Sequence, residues 1–145
     1  MKRILFIFLL TLIAAAGCAK SSRPPYAEDP WVREPPPGMS MLAGYMILHN
    51  PSSTELTLTG ASSPDFAAVE FHNSVMEDGV SRMRQETSLV LGAGEALRFV
   101  PGGRHMMLIA PGRQFSEGDK VLIELSFSDG SELHITAPVR SGGGH

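Results

Sequence analysis

The sequence predicts an all-β domain of about eight short strands, arranged as a Greek-key sandwich or barrel. Three observations predict it. Apolar runs of five to ten residues recur through the chain, several with period-two alternation, as in Val121, Ile123, Leu125 and Phe127 against Leu122, Glu124 and Ser126. The 15 glycines and 11 prolines fall between those runs as regular turn punctuation ("PPPG", "EDG", "GAG", "PGG", "SEGD", "SDG"). At 145 residues, with 43% hydrophobic and 19% charged residues, the chain suits one globular core and is too apolar for a disordered one.

The N-terminus reads as an address. "MKR" is a basic start, "ILFIFLLTLIAAA" an apolar run, and "AAGC" sets small residues before Cys18. The run ends too soon for a permanent transmembrane helix, which needs about 20 apolar residues. The stretch resembles a bacterial lipobox, which implies a signal peptide over 1–17 and lipidation at Cys18. Ordinary cleavage after Ala16, leaving Cys18 a free thiol, is the competing reading. An exported chain has little use for one unpaired cysteine, which favours the lipobox. The polar, proline-bearing text over 18–29 reads as a tether between lipid and domain. The domain then covers 30–140 and "SGGGH" over 141–145 is a short tail. Removing Lys2 and Arg3 with the leader takes the net charge from −3 to −5, a poor match to nucleic acid.

The strands expected in order are 41–50, 54–61, 67–73, 79–85, 96–102, 105–111, 120–130 and 131–139. Alternation along them sorts side chains by face. Val69 and Phe71 form an apolar face, which leaves Glu70 and His72 on the other. His105 and Met107 share one face of "HMMLI" and Met106 takes the opposite, core face. Met83 has Ser81 and Gln85 as same-face neighbours, odd company for a core methionine. Taken singly, a flexible thioether filling an irregular gap accounts for either Met83 or Met107.

The spacing of the four changes that. His72, ten residues, Met83, twenty-one residues, His105, one residue and Met107 make an H-x10-M-x21-H-x-M pattern. With "WVREPPPG", "GYMILHNPS", "PGGRHMML" and "EGDKVLIELSFSDG", it resembles the periplasmic PCu(A)C-type copper chaperones over residues 30 to 140. The resemblance implies a cupredoxin-like fold and one Cu(I) held by His72, Met83, His105 and Met107. It implies delivery of copper for assembly of the dinuclear centre of cytochrome c oxidase, with the oxidase's copper-bearing subunit and a thioredoxin-like assembly factor as partners. It also implies a lipid-anchored place on the periplasmic side of a bacterial membrane. Some relatives add a Cu(II) site on a His- and Met-rich tail; this chain offers only His145 there.

The donor chemistry agrees independently. Imidazole and thioether suit soft Cu(I), whereas Mg²⁺ and Ca²⁺ want oxygen and zinc proteins use thiolate, imidazole or carboxylate. A thioether has no proton to lose, so only the two histidines must be neutral, and binding should weaken below about pH 6.5, the ordinary histidine value. Thiolates would hold Cu(I) harder but risk pairing in an oxidising compartment.

The remaining candidates are weaker. His49, before Asn50-Pro51, reads as a turn or surface residue and His134 as solvated. Met39, Met41, Met46 and Met76 have no committing spacing, although Met76 lies between two of the four. Trp31 and Tyr45 read as core aromatics, and Glu70 and Glu77 as surface solvation. A blue-copper electron carrier would need a Cys thiolate beyond Cys18. No nucleophile elbow, His-Glu-x-x-His or Cys-His pairing points to an enzyme. A copper-sequestering or purely structural exported lipoprotein is the alternative function.

Overall fold

A computed structural model describes residues 23–142, in which ten strands follow one another: β1 (Tyr26–Arg33), β2 (Met41–His49), β3 (Leu56–Ser62), β4 (Phe66–Glu77), β5 (Val80–Glu86), β6 (Leu89–Leu91), β7 (Ala96–Phe99), β8 (Arg104–Pro111), β9 (Lys120–Phe127) and β10 (Glu132–Arg140). The leader, Cys18 and His145 lie outside the described residues. The strands form one sheet in the order β5-β4-β8-β2-β1-β10-β9-β3-β6, with β7 on β2. An additional bridge between Ala61 of β3 and Val69 of β4 closes the central seven strands into a barrel. Among the described strands only β1 and β10 run parallel. Closure leaves β4 and β3 paired on both sides and confines open edges to the short flanking strands.

The alternation read from the sequence fills the barrel. Val121, Ile123, Leu125 and Phe127 are buried inside it while Leu122 faces out, and Leu48, Leu58, Leu91, Met106 and Leu108 complete its fully buried centre. Apolar burial of this kind is the main favourable term in folding. The all-β expectation holds, with ten strands in place of about eight.

Three differences have local causes. β1 begins at Tyr26, inside the stretch read as tether. Asp29 has a positive φ of 44°, and the register shifts between Glu28 and Trp31, so a bulge interrupts the alternation that would have marked a strand. Tyr26 nevertheless pairs with His49 and stacks on its ring at 4.7 Å, while the Glu28 carboxylate meets His49 Nε2 at 2.6 Å. β6 is three residues long, too short for any period to show. Asn50 anchors it: this buried side chain donates to the carbonyls of Thr54, Leu91 and Gly92 at 2.8, 3.1 and 3.1 Å. Trp31 and Tyr45 are buried, but not in the main core. They pack on each other at 4.6 Å on the outer side of β1 and β2, with the Arg33 guanidinium 5.5 Å above the Tyr45 ring.

The turn between β4 and β5 decides where the side chains of β5 point. Glu77 pairs with Val80, so only Asp78 and Gly79 form the loop, at φ 51° and 77°. Positive φ at both positions is the two-residue type I′ turn, which Asp-Gly favours because neither resists the left-handed region strongly. The turn sets the register of β5 on β4, and a slip of one residue would send every β5 side chain to the opposite face.

Candidate metal centre

Register brings the four spaced residues to one face. His72 of β4 lies directly opposite His105 of β8, and Glu70 lies opposite Met107. On the other side of β4, Ser74 lies opposite Met83 of β5. Val69, Phe71, Met106 and Leu108 point into the barrel, so His72, Met83, His105 and Met107 all belong to its outer surface. The two imidazoles are 6.0 Å apart between centroids, with planes 27° from parallel. Met107 and Met83 occupy the two diagonal positions around His72, one on each neighbouring strand, within the span that long side chains bridge across a sheet.

The imidazole nitrogens are sorted by their hydrogen bonds. His105 is buried, and its Nδ1–H donates to the Gly103 carbonyl at 3.0 Å, which leaves Nε2 with a lone pair. That carbonyl is presented by the "PGG" turn, where Gly102 takes φ 78°, and it also accepts from the Ser74 amide at 3.2 Å. His72 has its Nε2 2.8 Å from Glu70 Oε2, while its Nδ1 is buried without a hydrogen-bond partner. An unpartnered buried nitrogen is costly in an apo site, and a soft cation is one way to satisfy it.

The two sulfurs differ in setting. Met107 is half-buried beside Ala43 of β2. The next residue on that face of β2, Tyr45, packs with Trp31 to form an aromatic wall, and burial raises the Tyr45 phenol above its ordinary value. Met83 is 53% exposed on a strand paired only with β4. A bidentate ion pair on the opposite face, Arg104 to Glu86 at 2.6 and 3.0 Å, ties the end of β5 to β8. Both partners are about three-quarters buried, and the bond to Glu86 raises the Arg104 value further.

Met76 shares the outer face of β4 with His72 but lies two pairs farther along, opposite Ser81, and is 70% exposed. Met41 is exposed opposite Ile109, one same-face position beyond Met107. Met46 is core, and Met39 is exposed in the loop before β2. His49 is engaged by Glu28, and His134 lies 3.4 Å from Glu124 on the outer face of β9 and β10. Glu70, read from the sequence as surface solvation, is the residue that reading missed. Its signal is the Glu-x-His spacing, which on a strand puts both side chains on one face.

The sequence profile of the family described as "Putative lipoprotein LpqE-like" matches residues 26–139. The chain belongs to the LpqE-like family. This LpqE-like chain is 31% identical over 111 residues to a protein of Leifsonia xyli subsp. xyli named as a putative lipoprotein, across 76% of the chain and 66% of that protein. It is 26% identical over 102 residues to a protein of Rickettsia prowazekii, across 70% and 56%. The chain thus spans just under two thirds and just over half the length of these curated relatives.

Among solved structures, the copper-bound PCuAC domain from PmoF2 superposes on the LpqE-like barrel with a TM-score of 0.68 at 26% identity, covering 81% of this chain and 92% of that domain. Cu(I)-bound DR1885 from Deinococcus radiodurans gives 0.68 at 28% identity, covering 88% and 84%. The resemblance to PCu(A)C-type proteins therefore extends from motif to fold, and the cupredoxin-like barrel expected from it is the one observed.

Proposed function

We propose that this protein is an exported, lipid-anchored carrier that takes up one Cu(I) as cargo through His72, Met83, His105 and Met107 and passes it on. The observation that carries the reading is the register pair His72–His105, each ring with one nitrogen free of hydrogen bonds, flanked on the same face by two thioethers. Such a set is neutral and soft, which favours Cu(I) over hard divalent ions. Copper bound to two relatives of the same fold supports the choice of metal. A chelator-competition titration of the folded domain with Cu(I), run in parallel with Zn(II), is expected to give one tightly held copper per chain and weak zinc binding. X-ray absorption of the loaded form should show sulfur and nitrogen shells in equal number. Equal affinity for zinc, or no copper retained, would remove the carrier reading.

Release is favoured by the same arrangement. Neutral thioethers exchange without protonation, and Met83 stands open to an incoming ligand. With the lipoprotein naming of the Leifsonia relative and the Cys18 motif, this supports delivery at a membrane. From the resemblance to PCu(A)C-type chaperones we infer the copper-bearing subunit of cytochrome c oxidase as recipient, with a thioredoxin-like factor assisting. Deleting the gene is expected to lower oxidase copper and activity under copper limitation, with rescue by added copper. A Cys18→Ser chain should fail to take up labelled fatty acid and should restore oxidase less well than the parent chain. Normal oxidase in copper-starved cells, together with heightened sensitivity to excess copper, would turn the assignment from delivery to sequestration.

A further inference from the structure

The carrier reading leaves open which nitrogen of His72 meets the metal. Resting on that reading, we propose that Glu70 is a positioning residue that holds His72 Nε2–H and so turns Nδ1 into the donor. Glu70 and His72 lie two apart on β4, hence on one face, with Glu70 Oε2 2.8 Å from His72 Nε2. An ionised carboxylate only accepts hydrogen bonds, so this contact requires the proton on Nε2. In the neutral ring the lone pair then sits on Nδ1, the buried nitrogen without a partner. His105 is clamped in the opposite sense: its Nδ1–H is given to the Gly103 carbonyl and Nε2 is the free donor. The two histidines thus present different nitrogens, each with its second nitrogen fixed to an oxygen. A carboxylate behind a ligating imidazole sets the ring's orientation and raises its basicity, and losing such support commonly lowers metal affinity about 10- to 100-fold.

The same contact admits an opposite role, in which Glu70 occupies the nitrogen that copper needs and must leave before the metal binds. The two roles separate cleanly. If Glu70 positions, Glu70→Ala should weaken Cu(I) binding by about 10- to 100-fold. If Glu70 blocks, that variant should bind as tightly as the parent or tighter. Because Glu70 is the cross-strand partner of Met107, truncation also removes side-chain volume next to that residue. Glu70→Gln keeps that volume and an oxygen to accept from Nε2–H without the charge, so its loss should be smaller than that of the Ala variant.

Imidazole ¹⁵N spectra of the folded domain, recorded at a pH where both rings are neutral and before and after one equivalent of Cu(I), give the direct reading. Without copper, His72 should show a protonated Nε2 and an unprotonated Nδ1. On loading, the His72 change should fall on Nδ1 while Nε2 keeps its proton, and His105 should show the reverse. Protonation of His72 at Nδ1 in the copper-free protein, or copper at its Nε2, overturns the proposal. A parent domain that bound no Cu(I) would remove the carrier reading instead, and the copper-free spectrum would still decide whether Glu70 holds Nε2–H.

Discussion

Met107→Leu is expected to leave the barrel folded and to lower Cu(I) affinity by more than the roughly 10- to 100-fold typical of losing a supporting partner behind a ligand. The substitution keeps volume and apolarity and replaces the sulfur with carbon. Met107 is only half-buried and lies on the outer face between Ala43 and Glu70, so the core does not see the change. Stability should shift by less than about 1.5 kcal/mol, the usual limit for such swaps. Met83→Leu should act alike on affinity and even less on stability, because Met83 is exposed. Chelator competition and a denaturant midpoint on the same samples check both halves. Parent-like affinity in both variants would mean that the thioethers are packing residues.

The neighbouring methionine should behave in the opposite way. Met106 is wholly buried on the inner face, one residue from Met107, and lies against Gly44 so closely that a Cβ on that glycine would come 3.0 Å from the Met106 methyl. Met106→Ala removes core volume where the surrounding strands cannot close in, and should destabilise the protein by about 2–5 kcal/mol. One Cu(I) should still bind where the variant is folded. Urea unfolding would refute the assignment if the midpoint stayed put, and copper titration would refute it if the folded variant bound none. Adjacent methionines with exchanged phenotypes, one lost in binding and one in stability, are what strand alternation requires.

That separation was legible in the sequence because the 105–109 strand alternates without interruption, and so were the turn at Asp78-Gly79 and the spacing of the two histidines. What escaped the sequence lay where local rules are broken or where partners come from afar. The bulge at Glu28 to Trp31 hid a strand inside apparent linker. Trp31 and Tyr45 looked like core because large aromatics bury themselves, yet here they cover the outside of the barrel beneath Arg33. Glu86 and Arg104, eighteen positions apart, meet only because β4 runs between their strands, a neighbourhood that no short window displays. Glu70 was visible but its role was not, since an outward carboxylate on a strand is ordinarily just solvated.

The placement of the four proposed donors on the outer wall has a consequence for the order of events in the protein's life. In small domains whose metal sits at the centre, the empty chain is unfolded and cargo and architecture are gained or lost together. Here the interior is completed by Leu, Ile, Val, Phe and Ala side chains with Met46 and Met106, and none of the four proposed donors belongs to it. The barrel can therefore close without a metal, and a carrier built this way would remain a finished molecule after giving its ion away. On the proposed function, loading and unloading are side-chain events on a fixed frame, and turnover is expected to depend on ligand exchange at Met83's open edge rather than on refolding.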